Sequence, residues 1–230
     1  MSDFCLTLNT LKEATRSRFA ALPLFVQKSY SSPLWTRGCH ILHTVQPIKD
    51  REKIEAMKKI LRASSLRDEL LFTIGINTGL RISDILALRV GDVRNQKGVV
   101  ERIEIVEKKT KKTRVVALNR KTRRLIELYL AQERPHARGD EPLFRSQKGG
   151  RAISRQHARY ILNRAAKAVG IVDRIGTHSL RKTFGYFAYK QGTDLAMIQK
   201  ILNHSSQAET LRYIGITQEQ IDEITAGLDL

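Results

Sequence analysis

From Ile48 onward the apolar residues recur at helical spacing, and this periodicity limits the fold more than any other feature of the chain. Ile54, Met57, Ile60 and Leu61 fall on one face of a helix, and Leu66 to Ile76 reads as a second, more uniformly apolar one. Asn77-Thr78-Gly79 ends that helix, and Ser83 or Asp84 starts the next within IleSerAspIleLeuAlaLeu. Further helices are predicted over 120–133, 154–169, 178–190, 194–202, 207–213 and 217–226. Turn signals at Pro135, Gly139, Pro142, Gly149-Gly150, Gly170 and Gly176 separate the earlier of these. Two segments alternate with period two instead, 99–106 and 113–118, and the lysine-rich LysLysThrLysLys between them would form a hairpin tip. The expected fold is mainly α with a small antiparallel β-sheet (α+β), in one domain over about 48–230.

Residues 1–47 differ. They are rich in Ser, Thr and Arg, hold only two acids (Asp3 and Glu13), and carry Pro23, Pro33 and Pro47 without sustained periodicity. They are expected to form a poorly ordered extension. Over the whole chain, 41% hydrophobic and 28% charged residues describe a globular protein and exclude wholesale disorder. No apolar run approaches the roughly 20 residues that a membrane helix requires, and the N-terminus lacks a secretory h-region. Cys5 and Cys39 alone make neither a disulfide framework nor a four-ligand zinc set. A cytoplasmic setting without membrane contact is expected.

Charge gives the first indication of a partner. Lys and Arg number 41 against 23 Asp and Glu, a net charge of +18. Nine basic residues and no acid lie between Lys108 and Arg124, and seven more bases lie between Arg145 and Lys167, again without an acid. After Tyr213 the sign reverses, with Glu219, Asp222, Glu223 and Asp229. Clustered cations attract a polyanion because each neutralised phosphate releases condensed counterions. Nucleic acid is therefore the favoured partner; an acidic lipid surface is the weaker alternative, since no basic amphipathic anchor stands out. Lys108, Lys111, Lys112, Arg114, Arg151 and Arg155 are the expected contacts with DNA.

Several residues have the chemistry to act on a phosphodiester. Arg81 follows the ThrGlyLeu turn, His178 and Arg181 sit one helical turn apart in HisSerLeuArg, and Lys109 lies in the hairpin turn. His204 stands in LeuAsnHisSerSer, and Tyr213 follows nine residues later. Two arginines can clamp non-bridging phosphate oxygens and stabilise a pentavalent transition state. A tyrosine oxygen can attack phosphorus, a histidine can take its proton, and a lysine can protonate the leaving oxygen. Taken singly, each of these residues has an ordinary explanation in packing or surface charge. Their order and spacing together do not.

With these boxes in view, residues 48–215 resemble the catalytic domain of the tyrosine recombinases, the phage integrase family that includes the Xer-type resolvases. ThrGlyLeuArgIleSerAspIleLeuAlaLeu, 78–88, resembles the first arginine motif, which implies Arg81 as a catalytic arginine and Asp84 as the acid that buttresses it. LysLysThrLysLysThrArgValValAlaLeu, 108–118, resembles the lysine-bearing β-turn and points to Lys109, with Lys108 and Lys111 as alternatives at the same tip. ThrHisSerLeuArgLysThrPhe, 177–184, gives His178 and Arg181; LeuAsnHisSerSer, 202–206, gives His204; ThrLeuArgTyr, 210–213, gives the nucleophile Tyr213. Asn203 replaces a usual Gly and Ala117 a usual Pro.

The resemblance implies a site-specific recombinase that cleaves and rejoins double-stranded DNA through a 3′-phosphotyrosyl link, with neither ATP nor a metal as cofactor. The sequence offers no GxxxxGK[ST] motif and no carboxylate cluster suited to two magnesium ions. It also implies a homo-oligomer, a tetramer on DNA. The tail 214–230, with an apolar stripe of Ile216, Ile221, Ile224 and Leu228 behind Thr217 as cap, would dock either on its own core or on a neighbouring protomer. The 47 residues before the domain are too few for the helical core-binding domain that many family members carry, so the expectation is either a short, catalytic-domain-only recombinase or a clamp supplied by accessory DNA-binding proteins. Two other readings stay open: a type IB topoisomerase, which rejoins the original ends, and a non-catalytic DNA-binding protein on a recombinase scaffold.

Overall fold

The computed structural model describes residues 45–109, 111–216 and 226–227, which lie within one compact unit, Leu42–Leu230. Residues 1–44 of the extension expected over 1–47, and most of the tail, including 217–225 of the helix expected over 217–226, lie outside the described residues.

The domain is built around a single buried helix. Helix α1 (Arg51–Ser64) starts at Asp50, whose Oδ1 accepts the amides of Glu52 at 2.8 Å and Lys53 at 3.2 Å. It buries Ile54, Met57 and Leu61, as its periodicity requires. Ser65 ends α1 and its hydroxyl caps α2 (Leu66–Thr78). Leu70, Leu71, Phe72 and Ile74 of α2 are all fully buried, so this helix is apolar around much of its circumference rather than along one stripe. Each such side chain contributes roughly 1.5–3 kcal/mol on leaving water.

Short elements follow: α3 (Ile82–Ile85), α4 (Val90–Val93), β1 (Arg94–Asn95), β2 (Gly98–Val99), β3 (Arg102–Val106) and β4 (Thr113–Ala117). β3 and β4 form an antiparallel hairpin in the register Arg102↔Ala117 to Val106↔Thr113, with Ile103 and Ile105 turned into the core. The strand predicted over 99–106 is therefore two strands. The Val100 amide donates to the Val93 carbonyl at 3.0 Å, so the chain first pairs back on β1 and joins β4 only from Arg102. α4 was not anticipated, because four residues carry no period; Asp92 holds its start by accepting the Arg89 amide at 2.8 Å.

Helices α5 (Arg120–Gln132), α6 (Arg155–Ala168) and α7 (Thr177–Lys190) complete the main core, with α1, α5 and α7 all packed on α2. A second, smaller core joins Tyr186 of α7 to Ile198 and Leu202 of α8 (Leu195–Leu202) and Ile214 of α9 (Gln207–Ile214). Gly185 permits this junction, since a Cβ there would stand 2.6 Å from the Ile214 side chain. Among the described residues no helix is long and apolar enough to cross a membrane. The fold is mainly α with small antiparallel sheets.

Candidate active site

The site begins at the end of α2. Gly79 has φ +61°, the left-handed conformation that closes the helix, and a Cβ there would fall 2.5 Å from the Phe184 ring. Two arginines hold this turn by its carbonyls. Arg114 of β4 donates to the Thr78 carbonyl at 3.3 Å, and Arg181 of α7 donates to the Gly79 carbonyl. The turn delivers Arg81 to the start of α3, where its Nη1 meets Glu107 Oε2 at 2.7 Å. Glu107 is 4% exposed, and its other oxygen lies 3.5 Å from Arg114.

Arg181 is buried, and its second nitrogen donates to the Leu202 carbonyl at 2.6 Å. Burial, opposed by the nearby Tyr213 phenol and reinforced by Arg81 and Arg114, lowers its pKa to about 10, which leaves it charged at neutral pH. His178 sits at the start of the same helix, on the surface. Partial desolvation and the cations Arg155, Arg181, Lys182 and Arg81 lower its pKa, so the ring is a neutral imidazole able to accept a proton.

α8 ends at Asn203, whose φ of +47° is left-handed. Asparagine tolerates this conformation better than other non-glycine residues, which accounts for its place in a box that usually has Gly. The next residue, His204, turns its Nδ1 to the Thr210 hydroxyl at 3.2 Å, and its ring meets that of Tyr213 at 69° with centroids 4.7 Å apart. Burial raises the Tyr213 pKa above its ordinary value, while Arg181 and Arg81 pull it back. Lys182 Nζ lies 5.2 Å from the centre of the same ring.

The hairpin tip closes the arrangement. Lys108, Lys109, Lys111 and Lys112 are exposed, and Lys111 takes a left-handed φ of +58° to make the turn. The charge of Lys109 is felt by Glu209 in the first turn of α9. Asp84 is buried, and its Oδ1 accepts the Lys108 amide at 3.0 Å. No ion pair joins it to Arg81 among the described residues; the carboxylate paired with Arg81 is Glu107.

Arg81, Arg181, His204 and Tyr213 thus converge, with His178 at their edge and Lys109 on the adjoining tip. The residues expected at the DNA surface divide. Arg151 and Arg155 are exposed, and Arg155 lines an open groove with Arg159, Arg174 and His178. Arg114 turns inward to Glu107. A groove between α1, α2 and α5 holds none of the site residues. Among the described residues no group of three or more His, Cys, Asp or Glu is placed to hold a metal ion.

Sequence reasoning missed Glu107, Lys182 and Thr210. A signal existed for Glu107: continuing the inward alternation of Ile103 and Ile105 by one step puts a carboxylate on the buried face. Convergent guanidiniums can hold an anion, and a phenol beside them has the chemistry to attack it.

Residues 49–220 match the Phage integrase family. A Bacillus subtilis (strain 168) protein named "Probable integrase/recombinase YoeC" is 44% identical over 178 residues, covering 77% of this chain and 93% of that protein. The tyrosine recombinase XerC of Thermodesulfovibrio yellowstonii is 29% identical over 164 residues, covering 69% of this chain and 53% of the relative, so the chain spans about half the length of that protein. Among solved structures, XerA recombinase superposes with a TM-score of 0.64 at 21% identity, covering 81% of this chain and 66% of the other. A lambda integrase dimer bound to a COC′ core site gives 0.58 at 16% identity, covering 76% and 50%. These two likenesses establish the fold. On the family match and the 44% identical relative, the chain belongs to the phage integrase family, the tyrosine recombinases.

Proposed function

We propose that this chain is a site-specific recombinase that breaks and rejoins double-stranded DNA through a covalent tyrosine link. Tyr213 Oη attacks the scissile phosphorus as the bond to the 5′-oxygen breaks, leaving a 3′-phosphotyrosyl end and a free 5′-hydroxyl. Arg81, Arg181 and His204 hold the non-bridging oxygens as charge builds on them. His178 takes the phenol proton and Lys109 gives one to the leaving 5′-oxygen. A 5′-hydroxyl from a partner strand then attacks the phosphotyrosine and releases Tyr213. One phosphodiester is exchanged for another, so the cycle needs no ATP. The observation that carries this reading is the convergence of Arg81, Arg181 and His204 on Tyr213 within a single chain.

Residues 48–230 act as the catalytic domain, with 1–47 as an extension. Lys108, Lys111, Lys112, Arg151 and Arg155 meet the DNA backbone. The tail 214–230 docks on a neighbouring protomer in a tetramer on the recombination site, in the cytoplasm and on the nucleoid. Accessory DNA-binding proteins supply part of the grip.

The test is capture in cells. Wild-type protein and Tyr213→Phe are expressed, protein–DNA adducts are isolated under denaturing conditions, and the attached DNA is sequenced. Wild-type adducts enriched at one inverted repeat support recombination. Adducts scattered without preference would indicate a topoisomerase, and none from either protein a non-catalytic scaffold. Deleting 217–230 should abolish paired strand exchange while sparing DNA binding, and unchanged exchange would reject docking in trans.

A further inference from the structure

We infer that Glu107 is the positioning residue for Arg81: its buried carboxylate fixes one edge of the guanidinium and ties it to the root of the hairpin that carries Lys109. The inference rests on the recombinase reading above and deepens it.

A carboxylate leaves water only when strong partners replace the lost hydration. Glu107, 4% exposed, has Arg81 at 2.7 Å and Arg114 at 3.5 Å. A guanidinium presents five donors in a fixed plane. Arg81 gives Nη1 to Glu107, while its Nε and Nη2 have no hydrogen-bond partner among the described residues. One edge is thus anchored in the protein, and the donors that remain are available to a phosphate.

The backbone of the same residue builds the neck of the hairpin. Its amide donates to the Lys112 carbonyl at 3.0 Å, and its carbonyl accepts the Lys111 amide at 2.9 Å. One residue on, the Lys108 amide bonds Asp84 at 3.0 Å. Residues 107 and 108 therefore join the hairpin twice to the segment 81–84, once through a side chain and once through an amide. Without the carboxylate, Arg81, Arg114 and Arg181 would face one another with one fewer negative charge between them, and like-charge repulsion would turn Arg81 aside.

The test uses the full chain and a duplex of the sequence recovered by capture in cells, made once with ordinary phosphate and once with sulfur at the bridging 5′-position of the scissile phosphate. A 5′-thiolate leaves without a proton, so the sulfur duplex bypasses the general acid but still needs the arginines. Glu107→Gln keeps the shape and removes the charge. It is expected to bind the duplex as wild type does and to form the Tyr213 link about tenfold or more slowly on both duplexes. Lys109→Ala, by contrast, should be slow on the oxygen duplex only.

Equal rates for Glu107→Gln and wild type on the oxygen duplex would overturn the inference. So would a slow oxygen reaction with a wild-type rate on sulfur, which would assign Glu107 to Lys109 instead. Should Glu107→Gln fail to fold, Glu107→Asp keeps the charge one methylene short of Arg81. It is expected to be slowed on both duplexes, and a wild-type rate for it would overturn the inference equally. No link formed by the wild-type protein on either duplex would sink the recombinase reading itself.

Discussion

His204 and Tyr213 meet edge to face, with ring centroids 4.7 Å apart, because the six residues before Thr210 fold back far enough to bring His204 Nδ1 to its hydroxyl at 3.2 Å. The Thr210 hydroxyl already donates its proton to the Ser206 carbonyl at 3.0 Å. Its oxygen must then accept from His204, which places the neutral ring's proton on Nδ1 and leaves Nε2 to take up a proton before it can donate to a phosphate oxygen. Thr210→Val, nearly isosteric at a fully buried position, removes that acceptor. The variant should cost about 1–3 kcal/mol in stability and slow formation of the Tyr213 link, whereas Thr210→Ser should retain both. Denaturant melts and single-turnover cleavage check the pair. Equal cleavage by Thr210→Val and Thr210→Ser would rule out the orienting role.

Gly79→Ala should damage the site from the backbone outward. The left-handed φ of +61° costs an alanine about 1–2 kcal/mol, and its Cβ would also press on Phe184. Arg181 loses its seat on the Gly79 carbonyl when that turn shifts. The expected result is a lower urea midpoint together with slow cleavage at temperatures where the variant is still folded. A variant with wild-type cleavage would show that the turn does not set the arginines.

Protonation of the two site histidines should oppose folding. Both pKa values are lowered in the free protein, chiefly by desolvation; neighbouring cations add to this at His178, while at His204 Glu209 opposes it and Arg181 and Arg81 reinforce it. An unfolded histidine titrates near 6.5, so below that pH the unfolded chain binds more protons than the native one. The contribution to stability is therefore complete above about pH 6.5 and is lost as the pH falls towards the lower folded values. Thermal melts between pH 5 and 7.5 should show a smaller acid loss in His178→Gln/His204→Gln than in wild type. A phosphate set against His204 favours its charged form, whose second ring N–H can then hold a non-bridging oxygen, so DNA binding should take up a proton, which calorimetry in buffers of different ionisation enthalpy measures.

The exposed lysines of the hairpin tip should act as phosphate neutralisers without sequence preference. Each of Lys111→Ala and Lys112→Ala is expected to reduce the slope of log affinity against log salt by about one. Arg114→Ala should behave differently. Its guanidinium serves Glu107 and the Thr78 carbonyl, so its loss should lower stability more than it changes the salt slope.

Much of this molecule was legible in the sequence wherever period or spacing was long enough to read. The helices α1, α2 and α5 to α9 carry such patterns, and the boxes around Arg81, His178, Arg181, His204 and Tyr213 fix which side chains to look for. The short elements were not legible, because four residues of α4 or two of β1 contain no period. The supporting shell was hidden for a different reason. Arg114 sits in a run of bases that reads as surface, and only the register of β4 against β3 turns it inward to Glu107. The family resemblance implies Asp84 as the acid that buttresses Arg81, and no local pattern shows that its Oδ1 accepts the Lys108 amide of the hairpin. Such pairings depend on contacts between segments far apart in the chain, which local pattern does not encode.

The most direct measurement is the mass of the DNA-linked peptide. Trypsin cuts after Arg212, and residues 213–230 hold no Lys or Arg, so Tyr213 begins a tryptic peptide that includes all of them. Protein trapped on DNA, digested with nuclease and trypsin, should yield that peptide carrying a 3′-nucleotide on its first residue, and Tyr213→Phe should yield none. A nucleotide on any other residue, or an undiminished adduct from a folded Tyr213→Phe protein, would contradict the assignment of Tyr213 as nucleophile.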